Sequence, residues 1–231
     1  GNLMNGHLWI WGKDNKILDL SMINSNAKVS LNKALVDTCS IYDSLADSQT
    51  QLNIIEGEFG SISFNNAIGK EYYIESALIE SLTLSGRINA PITISKIRGF
   101  KALKFDRLRI AHEFEVILDE VICSENPESV VFYSSILSNL SINNSDFSKL
   151  QLVSNNSDIS EIHTYHTQLP DVRKSDLPYR DKETCRQLKK VAENNQDKIS
   201  ARDYAAQELE HYWRYLKLER ASVWKRLPLF I

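Results

Sequence analysis

Between residues 59 and 162 the large apolar side chains recur at a step of five, not at the three- and four-residue spacings of a helix. From Phe59 the step reaches Phe64, Gly69, Ile74, Ile79, Leu84, Asn89 and Ile94, and six of these eight are large and apolar. A second run, in a shifted register, reads Leu137, Ile142, Phe147, Leu152, Ser157, Ile162. At every second step another apolar residue stands two places earlier: Ile62/Phe64, Tyr72/Ile74, Leu82/Leu84, Ile92/Ile94, then Leu103/Phe105, Val130/Phe132, Leu140/Ile142 and Leu150/Leu152. Val29/Leu31 and Leu52/Ile54 are earlier members, and polar stretches such as Asn143-Asn144-Ser145-Asp146 separate the pairs.

An apolar pair at i, i+2 is a very short strand with one face turned inward. Such strands, divided by polar corners, are too short for a sandwich. They suit the coils of a solenoid, in which each strand pairs with its equivalent one coil above and below, about 4.8 Å away. With about 20 residues to a coil, residues 29–165 are predicted to form a right-handed parallel β-solenoid of roughly six or seven coils, about 30 Å tall. His7–Trp11 and Lys16–Leu20, on either side of Gly12-Lys13-Asp14-Asn15, read as a hairpin. It assigns residues 1–28 as a cap over the first coil, whose open strand edge would otherwise invite aggregation. His112–Val130 contains Pro127, which cannot sit in a paired ladder, and is expected to protrude as a loop.

At Pro170 the alphabet changes, and residues 170–231 are predicted to form an α-helical hairpin. Asp181 is the expected N-cap of a first helix over 182–193, and Asn194–Asp197 is the turn. A second helix runs from about Ile199 to Arg226, with Ala201, Tyr204, Ala205, Leu209, Tyr212, Trp213 and Leu216 on one face. The hairpin is expected to cover the end of the solenoid, because solenoid ends need capping.

Ser145-Asp146-Phe147-Ser148-Lys149 resembles the five-residue unit of pentapeptide-repeat proteins, in which a central Leu or Phe follows a small residue and an Asp or Asn. Residues 184–190 and 201–210 resemble the helical hairpin that follows degenerate pentapeptide-like solenoids in a group of prokaryotic proteins. The resemblance spans about residues 59–220 and carries no catalytic residue. The chain departs from the regular repeat at Ile62, Tyr72, Leu82 and Ile92, where that family prefers small residues; this implies an irregular, partly flattened coil. In that group the hairpin often precedes membrane segments. Trp224, Lys225 and Arg226 followed by Leu227-Pro228-Leu229-Phe230-Ile231 fit the approach to a membrane helix. Together they imply a membrane attachment through segments beyond Ile231, with the solenoid in the cytoplasm at the inner face.

The chain has 231 residues and a formal net charge of -3, which provides no electrostatic reason to bind nucleic acid. Cys39, Cys123 and Cys185 are far apart and odd in number, so they read as free thiols of a reducing compartment. No phosphate loop, dinucleotide fingerprint or nucleophile elbow occurs, and no cofactor is implied. His163 and His166, with Asp158 and Glu161 nearby, are the best metal candidates but lack a third ligand at a defined spacing, so no metal is expected. Glu113, Glu115, Asp119 and Glu120 cluster as carboxylates can at glycoside-hydrolysing sites, though carboxylates also decorate any solvated loop. Lys96, Arg98, Lys101, Lys104, Arg107 and Arg109 alternate with Ile97, Phe100, Leu103, Phe105 and Leu108 and so point outward. They form either a solvated face or a binding face for an anionic partner. The reading that emerges is a non-catalytic interaction or scaffold module with an unknown protein partner, able to form a homo-oligomer. The alternative is a carbohydrate-binding or carbohydrate-active β-helix.

Overall fold

The computed structural model describes residues 5–12, 16–23, 26–42, 49–125, 128–172 and 176–226. The strands are β1 (Asn5–Trp11), β2 (Lys16–Ile23), β3 (Asn26–Tyr42), β4 (Gln51–Asn65), β5 (Glu71–Ile88), β6 (Ile92–Ser95), β7 (Ala102–Ile110), β8 (Val116–Asp119), β9 (Ser129–Tyr133), β10 (Leu140–Asn143), β11 (Gln151–Asn155), β12 (His163–Tyr165) and β13 (Asp171–Val172). Two helices follow, α1 (Pro178–Asn194) and α2 (Lys198–Arg226). All strand pairings are parallel, and the chain winds through a β-solenoid of about seven turns.

Each turn carries two strand rows. One ladder stacks β1, the first halves of β3, β4 and β5, then β6, β8, β10 and β12. The other stacks β2, the second halves of β3, β4 and β5, then β7, β9, β11 and β13. Register gives the coil length: Lys28 lies opposite Gln51 and Gln51 opposite Glu71, coils of 23 and 20 residues. Single bridges such as Leu78 to Arg98 and Arg109 to Ile136 occupy the two short sides between the rows. The result is a four-sided coil, and the five-residue step is one side of it.

Both members of each apolar pair point inward. Ile62, Tyr72, Leu82 and Ile92 are buried together with Phe64, Ile74, Leu84 and Ile94. Equivalent residues stack along the axis, as in the column Ile41, Phe64, Leu84, Phe105, Phe132. The Phe105 and Phe132 rings lie 4.9 Å apart and nearly parallel, and Phe64 meets Tyr72 edge-on at 5.3 Å. The buried Tyr72 hydroxyl accepts a 3.0 Å hydrogen bond from the Gly69 amide, so the ring brings no unsatisfied polar group inside.

The corners have their own columns. Lys33, Glu56, Ser76, Lys96, Glu120, Asn144 and His166 all take positive φ at equivalent places in successive coils, and Asn66, Gly86, Arg107, Ser134 and Asn156 do so at a second corner. A left-handed residue turns the chain sharply enough to end one side and begin the next. In the later coils a hydroxyl residue follows it. Ser145 Oγ accepts from the Val121 amide at 3.0 Å and donates to the Asn143 carbonyl at 2.6 Å. Ser135 Oγ accepts from the Leu108 amide at 3.0 Å and donates to the Tyr133 carbonyl, and Ser157 Oγ accepts from the Ser135 amide at 3.1 Å. Each hydroxyl therefore ties its coil to the one before it.

Three expectations need correction in detail. The two N-terminal strands lie over the first coil, but not as a hairpin paired with itself: β1 and β2 run end to end, each parallel to a different half of β3. They are a coil in their own right. The turn residues 13–15 lie outside the described residues. His112–Val130 is not a single protruding loop, because Val116–Asp119 is strand β8, paired to β6 and β10. The apolar pair Val116/Leu118 supplies the strand the loop reading overlooked, and Pro127 lies outside the described residues. Asp181 is not the N-cap of α1; the helix starts at Pro178 after Leu177, and Asp181 is buried in its first turn. There its Oδ2 lies 3.5 Å from His211 Nδ1 and 3.5 Å from an Arg214 guanidinium nitrogen.

The helices form the expected hairpin over the last coils. Cys185, Leu188 and Val191 of α1 and Tyr204 of α2 join the apolar core. Asp197 caps α2, its Oδ1 accepting from the Ile199 and Ser200 amides at 3.2 and 3.1 Å; the Ser200 hydroxyl first, and then these amides, hold its carboxyl below the usual range. Glutamines stand in for the coil that does not follow. Gln187 Oε1 accepts from the Ile159 amide at 3.1 Å, and Gln207 Oε1 accepts from the Val172 amide at 3.2 Å. The apolar stripe on α2 is only partly covered: Ala201 and Tyr204 are buried, whereas Leu209, Tyr212 and Trp213 are exposed. Among the described residues no helix is long and apolar enough to cross a membrane. The apolar end Leu227–Ile231 lies outside the described residues.

Candidate interaction surface

The six basic residues of the fifth side-to-side circuit point outward, while Ile97, Phe100, Leu103, Phe105 and Leu108 between them are buried. They do not gather into one patch. Lys96 and Arg107 sit at opposite corners, Arg98 and Arg109 on the two short sides, and Lys101 and Lys104 along one long row. Four of them have acidic neighbours. Lys96 Nζ lies 2.7 Å from Glu75, Lys101 Nζ 2.9 Å from Glu80, Lys104 Nζ 3.2 Å from Asp106, and Arg107 Nε 4.0 Å from the same Asp106. Arg107 also lies over the Tyr133 ring at 6.0 Å. The Lys96 ammonium, assisted by the Tyr73 hydroxyl at 2.8 Å, holds the Glu75 carboxyl below the usual range. The circuit is a charged belt with much of its charge locally paired, and such exposed pairs contribute little to stability.

One part of the belt lies in a hollow. On the short side after the first corner, the outward positions of successive coils are Leu35, Glu58, Leu78 and Arg98. Leu78 is 45% exposed and Ile122, in the next coil, 54%. Both stand outward, apart from the apolar core. The hollow around them has a volume of about 520 Å³ and is walled by the carboxylates of Glu56, Glu58 and Glu120 and by Lys96 and Arg98. A second hollow of about 370 Å³ adjoins it, sharing Glu58, Leu78 and Arg98 and adding Leu35, Asp37 and Glu80. Small residues make the recess: Gly57, Gly60 and Ala77 line it. A Cβ on Gly60 would stand 2.7 Å from the Asp37 carbonyl oxygen, and one on Gly57 2.7 Å from that of Ala34, so neither position admits a side chain without a shift. Lys33 lies 3.5 Å from Glu56 at the rim.

The other candidates are separated by the fold. Glu113 sits 3.1 Å from His112 in the turn before β8, Glu115 accepts the Ser141 hydroxyl, Asp119 accepts from Asn144 Nδ2 at 2.9 Å, and Glu120 lines the hollow. His163 begins β12 and His166 forms the next corner, its ring stacked on Tyr165 at 4.0 Å. Asp158 Oδ1 takes the Ser160 amide and hydroxyl at 3.1 and 2.8 Å. Among the described residues no group of three or more His, Cys, Asp or Glu is placed to hold a metal ion. The three cysteines are free thiols, and burial pushes Cys39 and Cys185 up to about 12 and Cys123 up to about 11. Comparison with protein-family models, curated proteins and solved structures finds no match.

Leu78 is the residue that sequence reasoning passed over. It stands between Ala77 and Ile79, the inward pair of that side, so three apolar residues run together where the alternation needs two. The surplus member of such a triplet is the signal for an exposed apolar contact.

Proposed function

We propose that this chain is a non-catalytic recognition scaffold that takes an extended polypeptide segment in the groove along its short side. The observation that carries the reading is the continuous pair of hollows in which exposed Leu78 and Ile122 alternate with Arg98 among carboxylates. An aliphatic strip offers apolar burial, and the surrounding charges supply register and orientation. Five carboxylates, Asp37, Glu56, Glu58, Glu80 and Glu120, line the two hollows against Lys96 and Arg98, with Lys33 and Lys101 paired to Glu56 and Glu80; the small acidic excess favours a segment with aliphatic and basic side chains. A rigid stack of coils presents such a strip already formed, which lowers the ordering cost of binding.

The test titrates the protein with labelled extended peptides of alternating leucine and lysine, leucine and glutamate, and serine only, read by fluorescence anisotropy. The leucine–lysine peptide should bind, weaken with added salt, and lose most of its affinity for a Leu78→Asp variant. Equal binding of all three peptides, or binding unaffected by Leu78→Asp, overturns the proposal.

A further inference from the structure

A third hollow lies away from the groove, on the outer face of the first strand row. It has a volume of about 310 Å³ and is lined by Lys28, Gln51, Leu52, Asn53, Glu71 and Tyr73. Register explains why these residues meet. Lys28, Gln51 and Glu71 stand opposite one another in successive coils, and Ser30, Asn53 and Tyr73 form the next outward column. Leu52 points into the core and is buried, so no aliphatic side chain is exposed in this hollow. The Tyr73 ring is fixed in place. Its hydroxyl donates to Glu75 Oε2 at 2.8 Å, and Lys96 Nζ donates to Oε1 of the same carboxylate at 2.7 Å. Asn53 Oδ1, in the adjoining coil, is buried and meets no donor among the described residues. A buried acceptor without a donor is costly, and a native structure that keeps one calls for an explanation. Lys28, Gln51 and Glu71 bring a cation, an amide and a carboxylate, none engaged by another side chain among the described residues.

We infer that this hollow binds a neutral, extended oligosaccharide. A sugar ring presents a face of C–H bonds, which packs on an aromatic face, and a rim of hydroxyls, which both donate and accept. Tyr73 supplies the aromatic face. Asn53 Oδ1 accepts from one ring hydroxyl and Glu71 from another, while Lys28 and Gln51 donate to hydroxyl oxygens. Lys28 and Glu71 balance in charge, so a charged chain gains nothing here over a neutral one. A peptide is the poorer occupant, because there is no exposed aliphatic strip to bury its side chains. The column of Asn53 continues through Ser30 to Trp9, which is 69% exposed and stacked on His7. Tyr73 and Trp9 stand three coils apart, about 14 Å at about 4.8 Å per coil, with the short side chains of Ser30 and Asn53 between them. That span suits a chain of sugars lying across the strands rather than a single ring.

The test is isothermal titration calorimetry of the full chain with cellohexaose, xylohexaose and chitohexaose. At least one should bind. Tyr73→Ala should weaken that binding by about tenfold or more, and Tyr73→Phe, which keeps the ring, should largely retain it. Lys28→Ala, at an exposed site where the fold is not at risk, should also weaken it, which keeps the test open if Tyr73→Ala fails to fold. Thr83→Asp, on the other strand row, should bind as the unaltered chain does. The leucine–lysine peptide of the groove should not displace the sugar, so the failure of either reading leaves the other standing. Binding of none of the three hexasaccharides, binding unaffected by both Tyr73→Ala and Lys28→Ala, or displacement by the peptide each overturns the inference.

Discussion

Leu84 is the sharpest probe of the stack. Its side chain is fully buried in mid-column, with Phe64 and Phe105 in the coils on either side. Truncation to alanine removes burial worth about 0.8 kcal/mol per carbon, and the neighbouring rings, fixed to their own strands, cannot fully close the gap. The expected loss is about 3–5 kcal/mol. With a urea slope of about 2 kcal/mol per molar, the unfolding midpoint should fall by roughly 1.5–2.5 M while the slope stays unchanged. Leu84→Asp buries a charge with no partner, costing several kcal/mol more against a total stability of about 5–15 kcal/mol, and should abolish the folded state. The control is Thr83→Asp, one residue away with its side chain on the outer face. It should change stability by about 0.5 kcal/mol or less if a surface substitution behaves ordinarily. Urea titration by far-ultraviolet circular dichroism reads all three. A folded Leu84→Asp protein, or equal damage from Thr83→Asp, would refute the inward column.

Ser135→Ala should cost about 1–3 kcal/mol, because the Leu108 amide is left buried without its acceptor; the urea midpoint reads it, and no change would deny the corner hydroxyls a structural part. Tyr72→Phe should cost a similar amount by orphaning the Gly69 amide, and hydrogen exchange at Gly69 should accelerate. Thiol titration should return three groups per chain after denaturation. In the native state at pH 8 all three should react slowly, since each thiol stays protonated until well above that pH, and half-exposed Cys123 should react first.

The solenoid was legible in the sequence because its physics is local. A pair such as Tyr72/Ile74 must face inward, and repetition at a fixed step forces the stack. The helical hairpin and its turn at residues 194–197 were legible for similar reasons, although Asp197 was read there only as a turn residue and not as the cap of α2. The misread places are those where two local rules competed. Pro127 suggested a loop and drew attention from Val116/Leu118, which form β8. Gly12 and its neighbours resembled a hairpin turn, yet each strand found a longer partner in β3. Asp181 resembled a cap, but Pro178 began the helix earlier and His211 drew the carboxylate inward. The groove was not legible, since it arises from five successive coils. No single segment shows that Leu78, Arg98 and Ile122 will share a recess with Glu56 and Glu58.

The corner hydroxyls give the stack a direction in time. Each accepts an amide from the coil synthesised before it, so an emerging coil finds a finished template and completes it. The newest edge is always the unfinished one. Gln187 and Gln207, with the apolar face of the helices, close it, and they leave the ribosome after the last strand. At about 5–20 residues per second that edge stays exposed for several seconds in every chain made. A nascent chain is therefore most vulnerable to mispairing just before its helices emerge, and truncations upstream of α1 should aggregate where the complete hairpin does not.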